Sequence, residues 1–240
     1  MNLNYLDLFH GIGGFALGAY WAGMKFENHY CSDIEPWCQK LYAKRFPDSI
    51  QLGDITQIDA AKLPAGDWII TGGFPCQDIS IAGKGAGIHG SRSGLWFEYW
   101  RLIRDLRPRF AIMENVSALT FSGLGIVLGT LHEIGYNAEW QNISARSIGA
   151  CHQRERLWIV AYPHEMGGKI YNEPEPRRSL SWDRLDFNSR IQEKPDPGIL
   201  RNYDGIPGKL DKLRIAGLGN AIVPQIAEIL FRQILNREKI

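Results

Sequence analysis

Residues 7–15 read DLFHGIGGF, a glycine-rich turn between a short apolar run and a helix-like stretch. Glycine lets the backbone bend sharply and approach a ligand closely, and the first turn of a helix offers free N–H groups. In dinucleotide enzymes this geometry holds a phosphate. The spacing here is G-x-G-G rather than G-x-G-x-x-G. It indicates an adenosine-containing cofactor and leaves NAD, FAD and S-adenosylmethionine open, with a purely structural turn as the alternative.

Around this turn, short apolar runs alternate with helix-like stretches over the first two-thirds of the chain. The predicted strands lie at residues 4–9, 26–32, 68–71, 110–114, 137–144 and 157–162. The predicted helices lie at residues 15–21, 36–46, 95–106, 125–134 and 222–235. This alternation is typical of a parallel sheet covered by helices, so we expect an α/β fold.

Charge and cysteine content restrict the class of protein. The 240 residues include 27 basic and 26 acidic side chains, a net charge of +1, so any nucleic-acid surface must be a local patch. None of the four cysteines forms a C-x-x-C pair, which argues against a zinc ribbon or a thioredoxin-like site. We find no signal-peptide pattern and no apolar run long enough to span a bilayer. We therefore expect a cytoplasmic protein with free thiols that binds neither a metal nor a membrane.

One cysteine lies at the carboxyl end of a predicted strand, the edge where open α/β sheets bind ligands. Residues 72–80 read GGFPCQDIS, and we interpret Cys76 in this turn as an exposed nucleophile. Cys31, Cys38 and Cys151 lie in apolar surroundings or short turns and are expected to be buried. The glycine-rich, basic residues 82–92 that follow are suited to a lid that closes on an anion.

Polar motifs also follow the later strands. Glu114, in ENV at residues 114–116, is a candidate acid or hydrogen-bonding partner, although such a position is often a solvated charge. In HQRER, at residues 152–156, alternation puts Arg154 and Arg156 on one side, where they suit a phosphate or a pyrimidine carbonyl or simply form a charged surface. The Gly-Asn pair in GLGNAIVPQ, at residues 217–225, either caps a helix or contacts a ligand.

Two acidic residues could serve an adenosine ligand. Asp33 ends the second predicted strand and could hold a ribose diol. Asp54 follows a third short run at residues 50–52, and it could accept a hydrogen bond from an adenine amino group or cap a turn.

Taken in chain order, these motifs resemble those of the C5-cytosine DNA methyltransferases over nearly the whole chain except residues 163–201. The matching parts are the family's cofactor loop, catalytic loop, acid motif, arginine motif and last cofactor contact, at residues 9–15, 73–77, 114–116, 154–156 and 219–220. The resemblance implies a Rossmann-like, S-adenosylmethionine-dependent methyltransferase fold with a mostly parallel sheet and a small target-recognition segment. It also implies double-stranded DNA as the substrate and a short, phage- or prophage-type member.

The resemblance gives each matching residue a role. The catalytic residues would be Cys76, Glu114, Asn115, Arg154 and Arg156. The S-adenosylmethionine pocket would be formed by Phe9, Gly11, Ile12, Gly13, Gly14, Asp33, Ile34, Asp54, Ile55, Pro75, Leu95, Asn220 and Ala221. The DNA contacts would come from Gln77, Ser80, Lys84 and Arg92.

The chain also departs from the family pattern. Ile34 stands where an aromatic residue is frequent, and His152 stands where a glutamine is usual. Residues 163–207, which take the place of the target-recognition region, are much shorter than usual. We expect a cofactor-binding and catalytic domain at 1–162, a recognition segment at 163–207, and at 208–240 a helix that returns to the catalytic domain. We expect a monomer, in which so short a segment leaves room for a partner in target recognition.

In the implied reaction, the Cys76 thiolate adds to carbon 6 of cytosine, which makes carbon 5 reactive. Glu114 would donate a proton to N3 and Arg156 would hold O2. The base must first be rotated out of the duplex. A local basic patch would come from Lys84, Arg92, Arg146, Arg154 and Arg156, so DNA binding should weaken with salt.

Three other functions stay open on the sequence. A nucleotide-dependent thiol oxidoreductase would use the glycine turn and one cysteine, but it leaves Glu114 and the two arginines unexplained. A non-catalytic DNA-binding protein is disfavoured by the intact set Cys76, Glu114 and Arg156. An RNA substrate is the closer rival, because the recognition segment is small.

Overall fold

A single sheet organises the protein, whose computed structural model describes residues 3–75, 94–150, 153–164 and 221–238. Its seven strands lie in the order β3-β2-β1-β4-β5-β7-β6. They are β1 (Leu3–Leu8), β2 (Asn28–Ser32), β3 (Ile50–Gln51), β4 (Asp67–Gly72), β5 (Phe110–Val116), β6 (Tyr136–Ser144) and β7 (Glu155–Pro163). Neighbours among β1 to β5 pair in parallel, whereas β7 runs antiparallel to both β5 and β6. The predicted α/β fold with a mostly parallel sheet is confirmed.

Helices cover both faces of this sheet. One face packs against α1 (Gly14–Ala22), α2 (Pro36–Arg45) and α6 (Pro224–Glu238). The other packs against α3 (Leu95–Leu106), α4 (Leu119–Ser122) and α5 (Leu124–Glu133). One-turn 3-10 helices lie at Ile55–Gln57, Ala60–Lys62 and Ala145–Ile148. Across the described ranges, no helix combines the length and apolarity needed to cross a membrane.

The central strands are buried on both sides, which explains why their sequences are almost continuously apolar. Alternation along β1 and β4 sends Tyr5 and Ile69 toward the face with α1, and Leu6 and Ile70 toward the face with α3. The prediction that Cys31 and Cys38 are buried free thiols is confirmed. Cys151 lies outside the described residues.

Strand β5 continues two residues past its predicted end. Glu114, Asn115 and Val116 pair with Trp158, Leu157 and Arg156 of β7, so the acid motif lies within the sheet. The strand pairing therefore brings the acid motif and the arginine motif side by side.

Helices α1 and α6 approach each other closely because α1 carries glycine at the contact. A methyl group added at Gly18 would lie 2.6 Å from the Cβ atom of Ala227 and 2.6 Å from the carbonyl oxygen of Pro224. Neither neighbour can move away easily, because one atom belongs to the backbone and the other to a fully buried alanine. The glycine thus sets the spacing at which the carboxyl-terminal helix packs on the first helix.

We predict that Gly18→Ala lowers the free energy of unfolding by about 1–3 kcal/mol, the usual range for overpacking a core. Gly129→Ala in α5 is the matched control, since a methyl group there meets no atom within 4 Å among the residues that the structure describes. That control should raise stability by about 0.5–1 kcal/mol, because alanine favours helix over glycine. Urea unfolding of both variants measures the difference, and equal stabilisation of the two would contradict the close packing.

Candidate active site

The candidate residues gather at one edge of the sheet, where the carboxyl ends of the parallel strands meet. The ends of β1, β2 and β3 carry the glycine turn, Asp33 and Asp54. The end of β4, the end of β5 and the start of β7 carry Pro75, Glu114 and Arg156. The first group of residues lies at the ends of β1 to β3 and the second at β4, β5 and β7. The two groups meet where β1 pairs with β4.

The glycine turn is held in shape by its own backbone and by β2. The N–H of Gly13 donates to the carbonyl of His10 at 2.7 Å, and the N–H of Gly11 donates to Oδ2 of Asp33 at 2.8 Å. Gly13 has a φ of +84°. An added methyl group at Gly13 would lie only 2.7 Å from the ring of Phe46, so both conformation and space require glycine. Phe9 also has a positive φ, of +50°, which a bulky residue adopts only under constraint.

This turn fits an adenosine-containing ligand by its chemistry. Gly13 is the N-cap of α1 and gives the helix no side-chain cap, so the helix start presents backbone N–H groups. Around Gly11 no atom of the described residues would lie within 4 Å of an added methyl group, so this part of the chain leaves the outer side of the turn open. The Ile12 carbonyl accepts a hydrogen bond from Arg45 at 2.7 Å, which braces the turn from α2.

Asp33 directly follows β2 and lies against the glycine turn, and its contact with a ribose stays a prediction. Its two carboxylate oxygens accept hydrogen bonds from the N–H groups of Gly11 and Glu35, at 2.8 and 2.9 Å. These bonds fix the carboxylate, and each oxygen keeps a lone pair for a ligand hydroxyl. Ile34 follows with 65% of its surface exposed.

Asp54 caps the first 3-10 helix by accepting a hydrogen bond from the N–H of Thr56 at 2.9 Å, one of the two roles considered from the sequence. The side chain of Ile55 is buried, and its carbonyl accepts a hydrogen bond from Arg101 at 3.2 Å. Contacts from these two residues to adenine stay a prediction.

The segment that follows β4 runs along Glu114. A methyl group added at Gly73 would lie 3.1 Å from Oε2 of Glu114. The side-chain amide of Asn115 donates to the carbonyl of Phe74 at 3.1 Å, which pins the same segment. Pro75 is half-buried, and Leu95 is half-buried at the start of α3. The acid motif therefore holds the backbone that leads into Cys76.

Glu114 is a buried acid with an arginine partner. It is 8% exposed, and its Oε1 lies 3.2 Å from Nε of Arg156. Burial raises the pKa of Glu114 to about 7, although the positive charges of Arg156 and Arg154 lower it. Desolvation outweighs the two arginines here because 8% exposure leaves the carboxylate little water. Near neutral pH this carboxyl can hold a proton and also release it.

Arg154 contacts the segment that precedes α6. Its Nη2 donates to the carbonyl of Ala221 at 2.5 Å. Its φ is +29°, in the left-handed region that non-glycine residues rarely adopt. Burial, followed by the charge of Arg156, lowers the pKa of Arg154. The positive charges of Arg154 and Arg156 both act on Glu114.

Several predicted site residues cannot be placed. They lie outside the described ranges and are Cys76, Gln77, Ser80, Lys84, Arg92, His152 and Asn220. Within the described ranges, no group of three or more His, Cys, Asp or Glu side chains could hold a metal ion. The sequence reasoning missed Asp7, which is fully buried beneath the glycine turn. A signal existed, since Asp7 is the one charged residue of the strand LNYLDL.

The chain is similar in sequence to type II methyltransferases. The type II methyltransferase M.HhaI of Haemophilus parahaemolyticus is 32% identical over 178 residues, covering 72% of this chain and 53% of that protein. The type II methyltransferase M1.ScrFI of Lactococcus lactis subsp. cremoris is 38% identical over 161 residues, covering 65% of this chain and 41% of that protein. The chain thus spans about half the length of the curated relatives it matches.

A solved structure shares the fold. A DNMT2 mutant of Spodoptera frugiperda superposes with a TM-score of 0.57 at 21% identity, covering 73% of this chain and 53% of that one. The sequence profile of the C-5 cytosine-specific DNA methylases matches residues 3–196, well over half of the chain. The chain therefore belongs to the C-5 cytosine-specific DNA methylase family.

Proposed function

We propose that this chain transfers a methyl group from S-adenosylmethionine to carbon 5 of cytosine in double-stranded DNA, through a covalent bond between Cys76 and a flipped-out base. One observation carries the proposal. The buried carboxyl of Glu114 lies beside Arg156 and against Gly73, three residues before Cys76. An acid, a cation and a nucleophile are the groups that this chemistry needs, and the first two lie on neighbouring strands, beside the segment that leads to Cys76.

The cofactor would lie on the glycine turn at the start of α1. Asp33 would accept hydrogen bonds from the ribose hydroxyls, since its carboxylate is already fixed by Gly11 and Glu35. Phe9 would pack on the adenine, and the open side of Gly11 would admit the methionine part. When bound, S-adenosylmethionine supplies an activated methyl group as a sulfonium.

Each protein group then has a separate task. The Cys76 thiolate adds to carbon 6, and negative charge develops on the ring. Protonated Glu114 donates to N3, and Arg156 holds O2, so the charge is neutralised where it forms. Asn115 fixes the loop through the Phe74 carbonyl, and Arg154 fixes Ala221. Cys76 leaves after carbon 5 has lost its proton, which restores the aromatic ring.

Recognition of DNA is assigned to residues outside the described ranges. We propose that Gln77, Ser80, Lys84 and Arg92 contact the DNA and that residues 163–207 read the target sequence, alone or with a partner chain. Residues 1–162 would form the cofactor-binding and catalytic domain, and residues 208–240 would contain the helix that returns to this domain. Bisulfite sequencing of DNA from cells that express the protein would identify the sequence that is methylated.

We predict that Cys76→Ser abolishes transfer of the labelled methyl group from S-adenosylmethionine to DNA and leaves cofactor affinity within about twofold, because serine is a far weaker nucleophile than a thiolate. Cys38→Ala is the matched control, since it removes a buried thiol of α2 and should leave activity unchanged. Tritium incorporation into DNA and into tRNA, assayed side by side, also tests the RNA alternative.

DNA that contains 5-fluorocytosine extends this test, because fluorine cannot leave as the proton does. The natural chain should form an adduct that survives denaturing gel electrophoresis, and Cys76→Ser should not. Retained turnover in the serine variant would refute the covalent route. Preferential labelling of tRNA would refute DNA as the substrate.

A second prediction concerns pH. Glu114 must be protonated to donate to N3, and its pKa is about 7, so the single-turnover rate should fall as pH rises through 7. Glu114→Gln should slow methyl transfer by about 10²–10⁴-fold, and its rate should no longer fall as pH rises through 7. Glu133→Gln, an exposed carboxyl at the end of α5, is the control and should keep the natural profile. If the rate of Glu114→Gln still falls as pH rises through 7, the pH dependence would have to come from another group.

A further inference from the structure

Asp7 is a fully buried carboxyl group in β1, on the sheet face covered by α1 and α2. Its Oδ1 accepts a hydrogen bond from the hydroxyl of Thr71 at 2.8 Å, and its Oδ2 accepts one from Tyr42 at 2.9 Å. A third donor is the backbone N–H of Ala16, in the first turn of α1. Asp7 therefore supplies the acceptor that Gly13, the N-cap of this helix, cannot provide.

The two hydroxyl donors are themselves held by further donors. The hydroxyl of Tyr5 lies 2.8 Å from Oγ1 of Thr71, and Nε2 of His29 lies 2.8 Å from the hydroxyl of Tyr42. Because Thr71 and Tyr42 give their protons to Asp7, Tyr5 and His29 must donate in these contacts. Every proton in the network thus points toward Asp7, the arrangement that stabilises an ionised carboxylate.

The charge of Asp7 has no cationic counterpart in the described part of the chain. None of the ion pairs found there includes Asp7. The titratable groups that face Asp7 are Tyr5, His29, Cys31, Asp33, Tyr42 and Tyr99. His29 is neutral near pH 7, because burial lowers its pKa to about 4. Buried anions are normally paired with a cation, so this one calls for a functional explanation.

Asp7 is joined to the cofactor turn by Tyr42. The ring of Tyr42 would lie 3.1 Å from a methyl group at Gly13, and its centroid lies 4.1 Å from that of His10. One side chain therefore supports the turn with its ring and binds Asp7 with its hydroxyl. Through Tyr42 and through the first turn of α1, the carboxylate is connected to the glycine turn to which the methionine part is assigned.

We propose that Asp7 is a positioning residue whose negative charge fixes the glycine turn and favours a methyl donor that carries a positive charge. The inference rests on the proposed function, under which the donor is a sulfonium cation. The spent product, S-adenosylhomocysteine, has a neutral sulfur and loses this attraction. Asp7 thus helps the enzyme release product in exchange for fresh donor.

The pH dependence of donor binding follows from the same arrangement. Burial raises the pKa of Asp7 to about 7, whereas the hydrogen bonds from Thr71, Tyr42 and Ala16 lower it. A bound cation favours the ionised carboxylate, so donor affinity should rise with pH through 7. Affinity for the neutral product should change much less.

The test measures dissociation constants of the full chain, without DNA, for S-adenosylmethionine and S-adenosylhomocysteine by calorimetry between pH 6 and 8. In Asp7→Asn, which keeps the size and one acceptor oxygen, donor affinity at pH 8 should fall about tenfold and product affinity about twofold. The rise of donor affinity with pH should also disappear. Tyr42→Phe keeps the carboxyl group but removes a hydrogen bond that lowers its pKa, so the rise of donor affinity with pH should persist and move to higher pH.

The outcomes separate this inference from the proposed function. Failure of the natural chain to bind S-adenosylmethionine would overturn the proposed function and, with it, this inference. If the unsubstituted protein binds S-adenosylmethionine and Asp7→Asn lowers the affinity for both ligands equally, only the role of the Asp7 charge would be overturned. If Asp7→Asn does not fold, the unsubstituted protein still tests the inference. A ratio of donor affinity to product affinity that stays constant between pH 6 and 8 would overturn the proposed role of the Asp7 charge.

Discussion

The site depends on the close contact between the first and last helices of the chain. Because α6 packs on α1 at Gly18, the residues just before α6 reach the edge of the sheet that carries the candidate site. A methyl group at Gly14 would lie 2.6 Å from Cβ of Ile222, and one at Gly73 would lie 3.5 Å from the same side chain. A single isoleucine therefore touches both the helix that starts at the cofactor turn and the segment that leads to Cys76. Arg154 reinforces this connection by binding the carbonyl of Ala221.

The electrostatics of the edge show burial and charge in competition. Glu114 is close to two arginines, which alone would keep it ionised, yet desolvation raises its pKa to about 7. Asp7 reaches a similar pKa of about 7 by burial without an arginine, and hydroxyl and amide donors partly offset that burial. Two carboxyl groups with similar titration thus lie in different surroundings. In the proposed mechanism, Glu114 donates its proton to the substrate, whereas Asp7 acts through the negative charge that it carries once it has lost its proton.

Much of the fold could be predicted because it depends on local pattern. Apolar runs and helical periodicity located the strands and the longer helices to within a few residues, and the turn before α1 followed from its glycines. The set and order of motifs also indicated which residues share the edge, since parallel strands bring their carboxyl ends together. The burial of Cys31 and Cys38 followed from their apolar surroundings.

The contacts that define the site could not be predicted in the same way, because they depend on register and on long-range packing. The pairing of Glu114 with Arg156 requires β7 to align Arg156 with Val116, which no local pattern specifies. The bond from Arg154 to Ala221 joins residues 67 positions apart. The network around Asp7 draws on β1, β2, β4 and α2, so only the folded sheet brings its donors together.

The reversed direction of β7 has a consequence for how the chain encodes its active edge. A parallel strand offers this edge the residues that come after it, as β4 and β5 do. An antiparallel strand offers the residues that come before it, so the arginines must precede the apolar run of β7. Turning that strand around would carry Arg156 to the opposite rim of the sheet and bring His164 to this one. The direction of a single strand thus determines whether a functional residue must precede or follow that strand's apolar run in the sequence.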